Sequence, residues 1–230
     1  MINLGIFLFQ KAEDTEEKVN VFKILYGDGE LGNIMGLSIV AILFVLSVLA
    51  LYIFMERWTS IKKAGKVDET FLNNIRASVA AGNLEGAKAI CRNVNSPYAR
   101  MIEKGIQRIG KPLRDINASI ENVGNLEVFK LEKNLSTLAS IAGAAPMIGF
   151  FGTVTGMIIA FYKMSAEDNV TPTVLAGGIY QALFTTAGGL FVGILAFIGY
   201  NVLVANVDKV VFKMERTATE FMDMLQEPTA

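Results

Sequence analysis

The sequence predicts an all-α membrane protein with three transmembrane helices and long helical extensions in the cytoplasm. Of the 230 residues, 52% are hydrophobic and 19% are charged, a balance too apolar for an ordinary soluble domain. Three runs contain no charged residue and are longer than the ~20 residues that a spanning helix needs. No segment of any length shows the alternating pattern of a β-strand.

The amino-terminal segment, residues 1–33, is predicted to stay attached to the mature chain and to lie on the external side of the membrane. Its apolar run from Ile2 to Phe9 lacks a basic segment before it and is followed by Lys11 and a cluster of acids. A cleaved signal normally starts positive and ends in small residues. We therefore expect a retained, short interfacial helix.

The first two uncharged runs each predict one transmembrane helix. The run from Gly32 to Met55 predicts a span over 34–56. The run from Asn134 to Tyr162 predicts a second span over 134–162.

The third uncharged run, from Asn169 to Val207, has 39 residues and exceeds what ~30 Å of hydrocarbon requires at ~1.5 Å per residue. No turn signal interrupts it after Pro172, so we predict one long helix rather than a hairpin. It would span the membrane over 174–204 and continue as a carboxyl-terminal helix over 205–230.

Basic residues near the span ends predict the orientation. Lys23 is the one basic residue in the ten residues before the first uncharged run, and the loop at 163–173 holds Lys163 alone, whereas lysines and arginines cluster after the first and third spans. The amino terminus and this loop are therefore expected outside, with 57–133 and the carboxyl terminus in the cytoplasm. The clustered basic residues are Arg57, Lys62, Lys63, Lys66, Lys209, Lys213 and Arg216.

The cytoplasmic segment 57–133 is predicted to be helical. Phe71, Ile75 and Val79 share one helical face, "AGN" at 81–83 indicates a turn, and Pro97 stands where a further helix would begin. Cys91 is expected to be a small packing residue. An apolar stripe continues along the tail at Val210, Val211, Met214, Ala218, Phe221 and Leu225.

Small residues predict that spans two and three pack closely on other helices. Gly152 and Gly156 form one GxxxG pair and Gly189 and Gly193 form another, and such pairs let helix backbones approach within lipid. Span one is bulky and suits a helix facing lipid. The residues predicted to serve helix packing are Pro146, Gly149, Gly152, Gly156, Gly189 and Gly193.

Four threonines and one glutamine lie well inside the uncharged runs, away from their ends, and two interpretations stay open for them. Each threonine can bond back to a carbonyl of its own helix at little cost. Alternatively, the group forms a polar strip that lines an interior. No acidic residue lies within the uncharged runs, so if the protein conducts protons, another chain has to supply the titrating group. The residues of this strip are Thr153, Thr155, Thr185, Thr186 and Gln181.

Composition argues against several other functions. There is no histidine and one cysteine, so zinc sites and the common nucleophile–base pairs are not expected, and no metal or cofactor is predicted. A net charge of −1 gives no sign of nucleic-acid binding. A non-conducting scaffold remains a rival. A transporter is disfavoured because no internal repeat is visible, and a membrane enzyme is the least expected class.

Two motifs resemble one known family. "APMIGFFGTVTGMI" and "GIYQALFTTAGGLFVGILAFIGYN" are similar to the signature helices of the ExbB/TolQ proton-channel family, which is distantly related to MotA. "GNLEGAKAICRNVNSPYARMIEKGI" is similar to the family's region between spans one and two. The resemblance covers nearly the whole chain, and three spans rather than four favour ExbB or TolQ over MotA. Of the family, ExbB is the member that the chain most resembles.

The resemblance implies a homo-pentameric pore in the bacterial inner membrane, lined by spans two and three. A single-span subunit of the ExbD or TolR type would supply a membrane aspartate, and proton flow would drive a TonB-type protein that energises transport across the outer membrane. A TolQ-like role in envelope constriction and integrity is the alternative, and the chain alone does not separate the two.

The resemblance also assigns residues. Thr153 and Thr186 match pore hydroxyls that face the partner's carboxylate, and Pro146 matches a proline early in span two. Two positions depart from the pattern: Gln181 stands where many members have glutamate, and Leu195 where many have proline. No glutamate relay is therefore expected in this subunit, and span three should be straighter.

Overall fold

The computed structural model describes residues 30–66, 70–166 and 172–226. Within these ranges every regular element is an α-helix and no β-strand occurs, which confirms the all-α prediction. The predicted amino-terminal interfacial helix and part of the predicted 163–173 loop lie outside the described residues. The helices are α1 (Glu30–Ala64), α2 (Thr70–Ala80), α3 (Leu84–Asn93), α4 (Pro97–Ile106), α5 (Leu113–Glu132), α6 (Leu135–Ala166) and α7 (Pro172–Gln226).

Three stretches of the described chain are long and apolar enough to cross a membrane, which confirms the predicted number. The third belongs to α7, a single helix of 55 residues, as the absence of a turn signal predicts. The boundaries proposed for the spans remain predictions. The three stretches are Ile34–Ala64, Leu113–Ser165 and Ala176–Gln226.

The second of these stretches contains a break between α5 and α6 at Asn134. Its φ of 65° lies in the left-handed region, which asparagine tolerates better than most residues. The Asn134 carbonyl accepts a hydrogen bond from the Leu138 N–H at 3.2 Å, so α6 begins directly after the break.

The chain divides into two compact units that share α1, α6 and α7. The membrane unit, as we call the first, comprises the described residues of Met1–Leu49 together with Ile141–Ala196. The polar unit comprises Ala50–Ser140 and the described residues of Phe197–Ala230.

In the polar unit, the short helices follow the predicted pattern. Phe71 and Ile75 of α2 are buried and Val79 is half-buried, which confirms the predicted face. Ala87 and Cys91 of α3 are also buried, as expected of Cys91 as a packing residue. The turn between these helices contains Gly82 in the left-handed region, with φ +70°.

Side-chain caps and a proline begin the next two helices of the polar unit. The Asn83 carboxamide accepts a bond from the Gly86 N–H at 2.8 Å and caps α3. Ser96 caps α4 by accepting from the Ala99 N–H at 3.3 Å, and Pro97 occupies its first turn.

A bulky hydrophobic core holds the polar unit together. Phe71 and Tyr98 pack edge to face with ring centroids 5.2 Å apart. Phe221 of α7 is fully buried, and Gly105 of α4 leaves room for its ring. The tail stripe predicted from the sequence therefore packs on helices of its own chain in this unit.

Candidate functional site

The candidate site lies in the membrane unit, where α6 and α7 run antiparallel along a seam of small residues. Each small residue on one helix faces a residue of the other helix. The helices are antiparallel because the residue numbers of successive pairs rise along α6 and fall along α7. The facing pairs are Pro146 with Gly193, Gly149 with Gly189, Gly152 with Thr185, Gly156 with Ala182, and Ala160 with Gly178.

Gly149 and Gly189 mark the closest approach of the two backbones. A Cβ added to Gly189 would lie 2.8 Å from the Gly149 Cα and 2.6 Å from the Ala145 carbonyl oxygen. Both neighbours are backbone atoms that cannot rotate away. Only glycine fits here, because a Cβ would collide with these backbone atoms. The resulting close van der Waals contact is what holds helices together within lipid.

Pro146 and Gly193 form the next contact along the seam. Proline has no N–H, so the Ala142 carbonyl one turn earlier loses its helical donor. A Cβ on Gly193 would stand 2.5 Å from the Pro146 ring and 3.1 Å from that carbonyl oxygen. The α7 backbone therefore covers the place where proline interrupts the hydrogen bonds of α6.

The Thr186 hydroxyl links the two helices across the seam. The Thr186 hydroxyl of α7 donates to the Gly149 carbonyl of α6 at 2.9 Å, and its oxygen lies 3.4 Å from the Thr153 hydroxyl oxygen. Thr153 itself donates to the Phe150 carbonyl at 2.6 Å. We call Thr153 and Thr186 the hydroxyl pair.

The hydroxyl pair can serve a carboxyl group in either protonation state. Both protons are directed at backbone carbonyls, so lone pairs on the two oxygens remain available to accept from a protonated acid. A hydroxyl can also rotate and donate to an ionised carboxylate. Both side chains are half-buried, at the edge of the helix pair.

The other members of the predicted polar strip lie in different surroundings. The Thr155 hydroxyl donates within α6, 3.0 Å from the Phe151 carbonyl. Thr185 is 2% exposed, donates to the Ala182 carbonyl at 2.8 Å, and packs on Gly152. The structure thus brings Thr153 and Thr186 together and holds Thr185 inside the seam.

Gln181 faces α1 instead of the seam. Its carboxamide lies directly against buried Gly36, where any added Cβ would collide with the side chain. Ile39 and Leu43 on the same face of α1 are also buried, whereas Phe44 and Val45 are exposed. The sequence interpretation did not single out Gly36, although a lone glycine in a bulky span was an available signal.

A shallow groove of about 720 Å³ runs along α6 from Thr153 of the hydroxyl pair. Thr153 stands at one end and Ser165 at the other, with apolar side chains between them. Such a surface fits an apolar helix that presents one polar group. The groove is lined by Thr153, Val154, Met157, Ile158, Phe161, Tyr162 and Ser165.

The polar unit contains a buried ion cluster that the sequence interpretation missed. Glu127 is 3% exposed and binds the Arg100 Nη2 at 2.5 Å and the Lys130 Nζ at 2.7 Å. Arg57, also buried, donates to the Lys130 carbonyl at 3.2 Å. The sequence did contain one signal, the i,i+3 spacing of Glu127 and Lys130. Many exposed ion pairs on helices have the same spacing, so it does not indicate a buried cluster.

The surroundings of Glu127 keep it ionised. Burial alone would raise its pKa, but hydrogen bonds and positive charge from Arg100 and Lys130 outweigh burial and lower the pKa below 4.5. The cluster therefore remains charged at neutral pH, in contrast with the neutral hydroxyl pair of the membrane unit.

The described geometry defines a multi-pass membrane protein whose spanning helices pack through small residues beside a neutral polar surface. Residues 93–216 match the MotA/TolQ/ExbB proton channel family, and this match covers more than half of the chain. The chain belongs to that family, which confirms the predicted resemblance. Membership, together with three apolar helices, indicates a multi-pass protein of the inner membrane.

The chain is similar to proteins named ExbB and to proteins named TolQ. It is 27% identical to a putative biopolymer transport protein ExbB homolog of Methanothermobacter thermautotrophicus, over 76% of this chain and 63% of that protein. It is 41% identical to the Tol-Pal system protein TolQ of Haemophilus influenzae, over 37% of this chain and 38% of that protein. The TolQ of Pseudomonas aeruginosa is 26% identical, over 78% and 82%. The first two matches thus span less than two thirds of those relatives.

Proposed function

We propose that this chain is the pore-forming subunit of a proton-driven motor in the inner membrane. In this proposal several copies, five by family resemblance, surround a single-span subunit of the ExbD or TolR type. The partner supplies an aspartate, and protons reach and leave it beside the hydroxyl pair. The partner's movement energises a TonB-type protein and so transport across the outer membrane.

The observation that supports this proposal most directly is the hydroxyl pair itself. It is half-buried, bridges two helices, and adjoins an open apolar groove. None of the three uncharged runs contains an acid, so a titrating group has to come from another chain. A neutral surface stabilises an acid in both protonation states, which a helix moving along it requires.

A double variant, Thr153→Val with Thr186→Val, tests the role of the hydroxyls. It removes both groups at similar volume, and a lost hydrogen bond to a charged group is worth ~1.5–3 kcal/mol. We therefore expect proton flux to fall by about tenfold or more, with assembly intact. Flux is measured as dye-reported acidification of vesicles containing this chain and its single-span partner.

Two controls make this test specific. Thr153→Ser with Thr186→Ser keeps the hydroxyls and should retain flux. Thr137→Val with Thr219→Val removes hydroxyls of the polar unit and should have no effect. Normal flux in the valine double variant would mean that the pair only packs, which is the scaffold alternative.

Reconstitution of the chain alone tests the need for a partner. Because the three uncharged runs hold no acidic group, vesicles without the single-span subunit should remain proton-tight. Robust leakage that persists in the valine double variant contradicts the proposal.

The proposed orientation follows from the basic residues after the first and third spans. A reporter fused after Ala230 should be active in the cytoplasm, and one fused before Met1 outside it. If a reporter that works only in the periplasm were active at the carboxyl terminus, the predicted orientation would be wrong, and the polar unit would lie on the periplasmic side.

A TolQ-like role in envelope constriction and integrity is the second candidate, favoured by the relatives named TolQ. Deletion of the gene distinguishes the roles. Loss of TonB-dependent uptake with an intact envelope supports the ExbB-like role, whereas detergent sensitivity and delayed constriction support the TolQ-like one.

A further inference from the structure

The polar unit contains a cavity of about 320 Å³ between the last turns of α1 and the middle of α7. Four lysines line it, two from each side, together with apolar side chains. Among the described residues, no aspartate or glutamate lines this cavity. Its lysines are Lys62, Lys66, Lys209 and Lys213.

One of the four lysines has a structural explanation. The Lys213 ammonium donates to the Gly65 carbonyl at 2.9 Å, just past the end of α1, where a cation offsets the helix dipole. Lys62 and Lys209 make no ion pair within the described part of the chain. Positive charges gathered around one cavity repel each other unless an anion joins them.

The walls of the cavity are apolar and begin where the membrane is expected to end. Trp58 stands three residues after the first uncharged run and stacks on Phe54, with ring centroids 5.8 Å apart. Tryptophan is enriched at the boundary between lipid and water. Leu203 and Val210 complete an apolar wall from α7.

We propose that this cavity, which we call the lysine cavity, binds the phosphate headgroup of an anionic phospholipid. Lysine is a common ligand of phosphate, and basic pockets beside transmembrane helices bind anionic headgroups. The volume of about 320 Å³ is at the lower end for small-molecule sites, which suits a headgroup whose acyl chains lie along the apolar wall. The inference is independent of proton conduction.

Lipid retention by the purified full-length protein tests the proposal. The delipidated protein in detergent is titrated with phosphatidylglycerol or phosphatidylcholine, and bound lipid is counted by native mass spectrometry. Phosphatidylglycerol should bind more tightly. Lys62→Gln with Lys209→Gln should weaken its binding by about 25-fold, at about fivefold for each lysine near an anionic lipid.

Two matched variants separate a site from general surface charge. Lys62→Arg with Lys209→Arg keeps the charge and should bind phosphatidylglycerol nearly as well as the unmodified protein, which also reports correct folding. Lys104→Gln with Lys111→Gln removes the same charge outside the cavity and should have no effect. Equal weakening by both glutamine pairs overturns the proposal.

Soluble competitors and lysine labelling distinguish other occupants. Glycerol 3-phosphate and inorganic phosphate at millimolar concentration should leave bound phosphatidylglycerol in place. Displacement by either one would assign the cavity to a soluble anion. Protection of Lys62 from acylation in the delipidated assembly would instead place a neighbouring copy over the cavity, and either result overturns the lipid assignment.

Discussion

The membrane unit and the polar unit satisfy their buried polar groups by different means. The membrane unit uses neutral hydroxyls that donate to backbone carbonyls, as Thr185 and Thr186 do. The polar unit uses charge, with Glu127 held by Arg100 and Lys130. Charges are far more costly in hydrocarbon than near water, which explains why these membrane contacts use neutral hydroxyls.

The two units also differ in how their helices pack. In the membrane unit, Gly149 and Gly189 let two backbones touch, because lipid gives apolar side chains little reason to associate with each other. In the polar unit, fully buried bulky residues such as Ile102 and Phe221 are removed from water, and this burial stabilises the core. Substitutions should therefore act differently in the two units.

The largest effect is expected for Gly189→Ala in the membrane unit. The new Cβ would meet backbone atoms of Gly149 and Ala145, so the helices must separate, at a cost of about 3 kcal/mol. The measurement is the unfolding midpoint in a denaturing-detergent titration.

Gly177→Ala on the same helix is the matched control. Nothing lies within 4 Å of its added Cβ, and alanine favours a helix by roughly 0.5–1 kcal/mol over glycine. Equal behaviour of the two variants would show that the seam does not need close backbone contact.

A smaller effect is expected for Glu127→Gln in the polar unit. The change leaves Arg100 and Lys130 without their buried carboxylate, but both cations are partly exposed and can turn to water. We expect a loss of about 2 kcal/mol at pH 7, measured by chemical unfolding. Glu121→Gln, at an exposed position of the same helix, should be nearly neutral.

The pH dependence of this loss gives a second test. Because the pKa of Glu127 is lowered in the folded protein, its stabilisation is present above about pH 4.5 and disappears as the pH falls through the folded value. The stability difference between the unmodified protein and Glu127→Gln should therefore shrink on acidification below that range. A difference that stays constant down to pH 3 would show that the ion cluster is not its source.

The smallest effect on stability is expected for Cys91→Ala, about 1 kcal/mol, because cysteine here is a packing residue.

Burial raises the pKa of the Cys91 thiol to about 12. Relative to an ordinary thiol, maleimide labelling at pH 8 should be slower by about a thousandfold in the folded protein. An added Asn93→Cys on the exposed side of α3 should label rapidly, and rapid labelling of Cys91 would mean that the core opens readily.

Much of the fold followed from local sequence pattern. The lengths of the uncharged runs predicted three membrane-crossing stretches, and the turn at Gly82 and the start of α4 at Pro97 were predicted from residue type. The buried positions Phe71, Ile75 and Cys91 followed from helical spacing. These features depend on neighbours in the chain, which a sequence displays directly.

The arrangement of the candidate site did not follow in the same way. Thr185 and Thr186 are adjacent in sequence and were predicted alike, yet one is buried in the seam and the other reaches Gly149 on α6. Successive residues on a helix point about 100° apart, so the rotation of α7 about its axis decides which threonine is buried in the seam and which one reaches Thr153. Pattern alone does not set that rotation.

The sequence by itself determined that the protein is helical, that it crosses a membrane, and that its uncharged runs hold hydroxyls and glycines but no acid, because composition and periodicity are local properties. Tertiary structure decided that Thr153 meets Thr186, that Gln181 turns to Gly36, and that Glu127 binds Arg100. Each of these contacts joins residues from separate helices. Its existence depends on how the helices rotate and slide against each other, which is decided by packing between the helices.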